Sequence, residues 1–153
     1  DGVALDSIKS CINEHSVESQ VILTGRVPHN RVHYYLSAMD FGIYPDSNEY
    51  GSPMKLFEFM AMGVAMVACD YQPVAEVIED NVNGWVFKAG DRQACIQKVI
   101  DISLALEQQK NVGRTARKYI EEERQWIHNA QEILALIDAQ NEQLLLKAVQ
   151  EGE

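Results

Sequence analysis

The chain has 153 residues, of which 46% are hydrophobic, 24% charged and 8% aromatic, the balance of a globular domain and not of a disordered or fibrous chain. Its 13 Lys and Arg against 23 Asp and Glu leave a net charge of −10, which argues against a nucleic-acid partner, because affinity for a phosphate backbone rests on clustered cations. No apolar run approaches the roughly 20 residues needed to cross a bilayer, and Asp1-Gly2-Val3 is not the basic-then-apolar start of a signal peptide, so a cytoplasmic protein is expected.

In chain order, helical periodicity covers residues 4–15, and the β-rich run Val21-Ile22-Leu23-Thr24 reads as a first strand. A helix over 30–38 follows, then a strand at Phe41-Gly42-Ile43-Tyr44, a helix over 53–62 and a strand at Ala65-Met66-Val67-Ala68-Cys69. A helix over 73–79 leads to a strand at Trp85-Val86-Phe87, and three successive helices close the chain over 91–108, 111–123 and 126–148. Alternating short apolar runs and helices predict an α/β, Rossmann-like parallel sheet of about four strands flanked by helices, with a helical tail. Residues 1–125 make up this domain, and residues 126–153 a C-terminal helix that packs on it or crosses to a partner domain. Entry straight into a helix, and four strands served by seven helices, suggest a fragment of a larger doubly wound domain. Cys11, Cys69 and Cys95 lie in apolar segments without a C-x-x-C pair, which predicts buried reduced thiols and no metal site. His15, His33 and His128 are too scattered to form one either.

The stretch from Pro45 to Gly63 leaves a strand and enters a helix. Ser52 fits an N-cap and Pro53 the first helical position, so the free amides of the first turn face the carboxyl edge of the sheet, where an anion is favoured. Gly51 lets a ligand approach the backbone, and Lys55 adds a positive charge. Lys55 and Glu58, three apart on a helix, share the face that borders that edge. The plain alternative is an ordinary helix start with a surface ion pair between Lys55 and Glu58.

The run Gly51-Ser52-Pro53-Met54-Lys55-Leu56-Phe57-Glu58-Phe59-Met60-Ala61-Met62-Gly63, followed by Val64-Ala65-Met66-Val67-Ala68, resembles the donor-site signature of retaining GT-B glycosyltransferases of family 4. Further similarity lies in Leu23-Thr24-Gly25-Arg26-Val27-Pro28, Glu76-Val77-Ile78-Glu79-Asp80, Asn83-Gly84-Trp85-Val86-Phe87 and Trp126-Ile127-His128-Asn129-Ala130, so that it spans about residues 1–137 in order. The resemblance implies half of a GT-B fold that binds a nucleotide diphosphate sugar of UDP or GDP type. Such an enzyme transfers the sugar to an acceptor hydroxyl with retention. Glu58 matches the Glu that accepts hydrogen bonds from the ribose hydroxyls. Gly51, Ser52, Pro53 and Met54 match the turn that meets the sugar and diphosphate, and Gly25, Arg26 and Val27 the loop that meets the base and diphosphate. Lys55 and Arg26 would stabilise charge on the leaving phosphate, so that Lys55 is a candidate catalytic residue. The signature's first Glu stands eight positions before the second, where this chain has Tyr50, with Glu49 one position off. Either the loop shifts so that Glu49 binds the sugar as a second candidate catalytic residue, or the sugar is held differently; Tyr50 is expected among the substrate-binding residues.

There is no Asp-x-Asp motif, and the resemblance implies a metal-independent enzyme without a cofactor. It also implies a preceding domain for a sugar or lipid-linked acceptor, at the inner membrane surface in some arrangements, without which this chain alone is inactive. The rival expectation is a non-catalytic Rossmann-like assembly module with a degenerate donor site. In the tail, Ile127, Ala130, Leu134, Ile137, Asn141, Leu144 and Ala148 alternate spacings of three and four, a heptad seam that would dock on another domain or pair two copies of the chain.

Overall fold

A computed structural model describes residues 2–151, and side chains over residues 2–144; Asp1, Gly152 and Glu153 lie outside the described residues, as does the side chain of Ala148. The chain divides into two units, Asp1–Tyr35 and Leu36–Glu153.

The first unit holds helix α1 (Leu5–Glu14), 3-10 turns at Glu18–Gln20 and His29–Arg31, and most of the short helix α2 (Val32–Leu36). Between the turns Val21 is extended, with φ −118° and ψ 124°. The segment Val21-Ile22-Leu23-Thr24 nevertheless forms no strand, a correction to the sequence expectation of four. Extended backbone becomes a strand only when a neighbour supplies its ladder of hydrogen bonds, and none of the described strands pairs with this segment. Open cavities of about 310 and 430 Å³ lie between it and α1, and Ile22 is 87% exposed. No described side chain between residues 2 and 35 is buried.

The second unit contains a three-stranded parallel sheet in the order β1 (Gly42–Tyr44), β2 (Met66–Cys69) and β3 (Trp85–Phe87), with Val67 opposite both Ile43 and Trp85. Every residue of the central strand is buried, which explains its uninterrupted apolar sequence. The two-residue period sends Met66 and Ala68 to one face, against Leu56 and Met60 of α3 (Met54–Ala61) and Ala116 and Ile120 of α6 (Leu106–Glu123). Val67 and Cys69 face the other way, onto Trp85, Phe87, Ile102 of α5 (Arg92–Ser103) and Val112 of α6. The one-turn helix α4 (Gln72–Ala75) follows β2. Whereas the sequence pattern breaks the two late helices near residue 110, the structure breaks them at Leu104 and Ala105, where α5 ends and the Gln109 side-chain amide bonds the Ile102 carbonyl at 2.6 Å.

Helix α3 ends in Gly63, whose φ of +73° is the left-handed turn that closes a helix. Its amide bonds the Met60 carbonyl at 2.9 Å and that of Val64 bonds the Phe59 carbonyl at 3.0 Å, satisfying the last turn before β2. The turn also brings the Gly63 carbonyl against Gly113 of α6, where a Cβ would strike it. Two glycines thus set the distance between α6 and the end of α3.

The cysteines differ from expectation at one position. Cys69 is buried and Cys95 half-buried, but Cys11 is exposed because α1 buries none of its side chains. Burial pushes both the Cys69 and Cys95 thiols up, and the carboxylates of Asp46 and Asp70 push Cys69 further. At pH 8 a thiol reagent should therefore modify Cys11 in the native chain and reach Cys69 only on unfolding; a count of thiols labelled before and after denaturant checks this. Ionisation of Cys69 costs more folded than unfolded. Its contribution to stability is whole below the ordinary thiol pKa and falls as pH rises above it.

Helix α7 (Trp126–Glu151) completes the chain. Between Trp126 and Leu144 every residue but His128 is exposed, including Trp126, which is 82% exposed. No helix among the described residues is long and apolar enough to cross a membrane.

Candidate functional site

Because the three strands are parallel, their carboxyl ends share one edge, the place where open α/β sheets receive ligands. Loops leave this edge after Tyr44, Cys69 and Phe87. A cavity of about 360 Å³ opens there between Pro45, Asp46, Tyr71, Phe87, Asp91 and Arg92, among others. The Asp70 carboxylate accepts the Ala89 amide at 2.7 Å and ties two of the loops, while Asp91 caps α5 through the Ala94 amide at 2.9 Å. A second cavity, about 400 Å³, lies between α6 and the turn that precedes β3. Glu76, Glu79, Glu122 and Glu123 line it, an unfavourable setting for an anion.

The loop from β1 to α3 is organised from within. Ser47 donates its amide to Asp46 at 2.9 Å, and its hydroxyl lies 3.3 Å from that of Tyr44. The Asn48 side-chain carbonyl accepts the amides of Tyr50, at 3.3 Å, and Gly51. A Cβ at Gly51 would collide with the Asn48 side chain, so this glycine makes room for the loop's own turn. The sequence reading missed Asn48, although an Asn three residues before a Gly is a recognisable turn signal. Removing that side chain, Asn48→Ala, should loosen residues 48–51 at a stability cost of about 1 kcal/mol, the net worth of an ordinary hydrogen bond. Amide exchange at Gly51 accelerating without a matching change along β2 checks it.

The helix start departs from the sequence expectation by one residue. Pro53, at φ −83° and ψ 72°, is outside helical geometry, so α3 begins at Met54 with Pro53 as its cap residue, and no side chain caps it. Ser52 acts through its backbone: the Met54 amide turns back to the Ser52 carbonyl at 2.9 Å and the Leu56 amide to that of Pro53 at 2.8 Å. Proline offers no N–H to a Ser52 hydroxyl, and the tight turn takes up these first amides instead.

On α3, Leu56 and Met60 face the core while Met54 and Lys55 are exposed and Glu58 is half-buried. The surface ion pair between Lys55 and Glu58 does not form; the salt bridges of the described residues are Lys98–Asp80, Lys110–Glu107, Arg117–Glu121 and Lys118–Glu122. Lys preceding Glu on a helix is the weaker orientation for such a pair. Glu58 thus presents a carboxylate that no described donor satisfies, on a half-buried residue, and Lys55 a cation with no described counter-charge. Glu49 and Tyr50 are exposed, Tyr50 by 88%. Gly25 and Arg26 are exposed and Val27 half-buried, in the first unit. No group of three or more His, Cys, Asp or Glu among the described residues is placed to hold a metal ion.

The family described as glycosyl transferases group 1 matches residues 1–119, the run that contains the sheet, the β1–α3 loop and Glu58. The chain belongs to that family. As a group 1 glycosyltransferase domain it is 32% identical over 101 residues to the amylovoran biosynthesis glycosyltransferase AmsK of Erwinia amylovora, a match that covers 63% of this chain and 25% of the relative. It is 26% identical over 120 residues to the putative colanic acid biosynthesis glycosyltransferase WcaL of Escherichia coli K12, covering 74% of this chain and 30% of the relative. The chain therefore spans between a quarter and a third of the length of these curated relatives. Among solved structures, HepE of Anabaena, in complex with UDP and glucose, superposes with a TM-score of 0.76 at 16% identity, over 88% of this chain and 36% of that one. TarM superposes with a TM-score of 0.75 at 22% identity, over 88% of this chain and 27% of that one. These likenesses identify the fold as the carboxyl-terminal half of the GT-B architecture.

Proposed function

We propose that this group 1 glycosyltransferase domain is the donor-binding half of a retaining enzyme and holds a nucleotide diphosphate sugar of UDP or GDP type. The observation that carries the reading is Glu58: a half-buried residue on the helix that follows β1, whose carboxylate has no partner among the described residues. A vicinal diol, the ribose, offers two adjacent donors to its two acceptor oxygens. The binding of UDP and glucose by HepE, which shares the fold, supports a nucleotide sugar as the ligand class.

Around that anchor, the turn from Gly51 to Met54 meets the sugar and diphosphate. Lys55, which has no described counter-charge, opposes the negative charge that grows on the departing phosphate. The transfer is a front-side displacement. The bond from the anomeric carbon to the phosphate oxygen breaks, the acceptor hydroxyl oxygen bonds the same face of that carbon, and its proton passes to the leaving phosphate. Preorganised cations at the phosphate stabilise this separation of charge without a metal or cofactor. Glu49, exposed and unpartnered, is the carboxylate available to the sugar if the loop closes over it. The acceptor, a sugar or lipid-linked saccharide, belongs to a preceding domain, and the reading places the enzyme in the cytoplasm. Without that domain this chain binds donor and transfers nothing.

A second reading, a non-catalytic assembly module, draws on Tyr50 standing where the signature's first Glu is expected and on the uncovered surface of α7. A metal-free titration with UDP, GDP, ADP and their sugar conjugates, followed by amide NMR, separates the two. Shifts centred on residues 51–58 with one preferred base are expected for a donor domain. A folded sample that no nucleotide perturbs would overturn it in favour of the module.

A further inference from the structure

Asn48 puts one side-chain oxygen on two successive amides, that of Tyr50 at 3.3 Å and that of Gly51, and so closes residues 48–51 into a turn. Just beyond it Pro53 is buried, and the Met54 amide turns back to the Ser52 carbonyl at 2.9 Å. The stretch that leads into α3 is thus fastened at both ends, by the Asn48 side chain and by the packing of Pro53.

The glycine at position 51 belongs to the same arrangement. Its φ lies outside the left-handed region, so its backbone conformation does not call for glycine. What excludes a side chain there is space: a Cβ would strike the Asn48 side chain, and the three atoms nearest to it all belong to that residue. Gly51 is therefore the counterpart of Asn48, leaving room for the acceptor that its own amide meets.

We propose, on the donor reading given above, that Asn48 is a positioning residue of the donor site, fixing through the amides of Tyr50 and Gly51 the turn that meets the sugar and diphosphate. Those two amides are already satisfied within the loop, so they contribute shape and not hydrogen bonds to the ligand. A loose loop must be ordered when a ligand arrives, and that loss of entropy is subtracted from affinity. A turn closed in advance by the chain's own side chain avoids it.

Titration of UDP and of GDP into the whole 153-residue chain, followed by amide NMR, tests this. Asn48→Ala should weaken the preferred nucleotide about fivefold, the equivalent of one ordinary hydrogen bond, while amides along β2 keep their wild-type shifts. Gly51→Ala should weaken it at least as much, because the methyl displaces the Asn48 side chain. Once that side chain is gone the methyl has room, so the double variant should bind within about twofold of Asn48→Ala alone. Asn48→Asp keeps an acceptor oxygen and should keep the Gly51 amide protected from exchange. A folded Asn48→Ala chain that binds as tightly as wild type overturns the proposal and leaves the donor reading standing. Losses that add in the double variant overturn it as well, since Gly51 would then serve something other than Asn48, and so does an Asp variant that leaves the Gly51 amide unprotected. A wild-type chain that binds neither nucleotide removes the donor reading and the proposal with it.

Discussion

Glu58→Ala should abolish measurable nucleotide binding and leave the fold intact. If the carboxylate accepts two hydroxyl donors, each charge-assisted bond contributes about 1.5 kcal/mol or more, and losing both weakens binding by roughly 100-fold. The same substitution costs the folded chain little. Glu58 has no partner within the described residues to be orphaned, and alanine is the better helix former. Titration of UDP and GDP into wild type and variant, beside their urea unfolding curves, checks both halves of the expectation. A variant that binds as well as wild type would remove Glu58 from the site; one that unfolds early would mean the carboxylate serves the fold. Glu58→Gln keeps one acceptor and should fall between the two, which separates hydrogen bonding from charge.

Gly113→Ala should be the most damaging of the conservative core changes. On helix propensity alone it gains about 1 kcal/mol. A methyl at that position, however, meets the Gly63 carbonyl, a backbone atom in the left-handed turn that joins α3 to β2. Neither side can rotate away, so α6 must slide off α3 and loosen Leu56, Met60, Ala116 and Ile120 together. Overpacking of this kind costs about 1–3 kcal/mol, and its reach across the interface places the net loss near 2 kcal/mol. The urea midpoint should fall, with a drop in melting temperature of roughly 4–8 °C for a domain of this size. Thr115→Ala, on the exposed side of the same helix, should show neither.

Much of the second unit is legible residue by residue. The apolar run from Ala65 to Cys69 can only be a strand covered on both faces, and β2 is that strand. The helix expected from residue 91 is α5, which starts one residue later, with the Asp91 carboxylate on the Ala94 amide as its cap. The paired acids and bases of Arg117, Lys118, Glu121 and Glu122 mark a solvated helix face, and their i to i+4 bridges lie on it. Each of these signals is complete within a few residues, since capping, side-chain period and helical pairing are local events.

Other features depend on groups remote in sequence. Val21 to Thr24 has the composition of a strand, yet strand identity belongs to the neighbour that supplies the ladder, and composition does not name that neighbour. Lys55 and Glu58 have the spacing of an ion pair, but the face that α3 turns to the core leaves Glu58 half-buried and Lys55 in water. Ser52 and Pro53 read as cap and first turn, whereas the dihedral angles of Pro53 move the start to Met54. The contact of Gly63 with Gly113 joins residues fifty positions apart and follows from how closely two helices pack. The amino-acid sequence by itself determined the class of fold, the central strand, the run from Gly51 to Gly63 and the seam of α7, because periodicity and turn chemistry are written in neighbouring side chains. Only the tertiary structure decided which extended segment became a strand and that Glu58 stands unpartnered on α3, because pairing and burial are set by atoms that the chain brings together from far along its length.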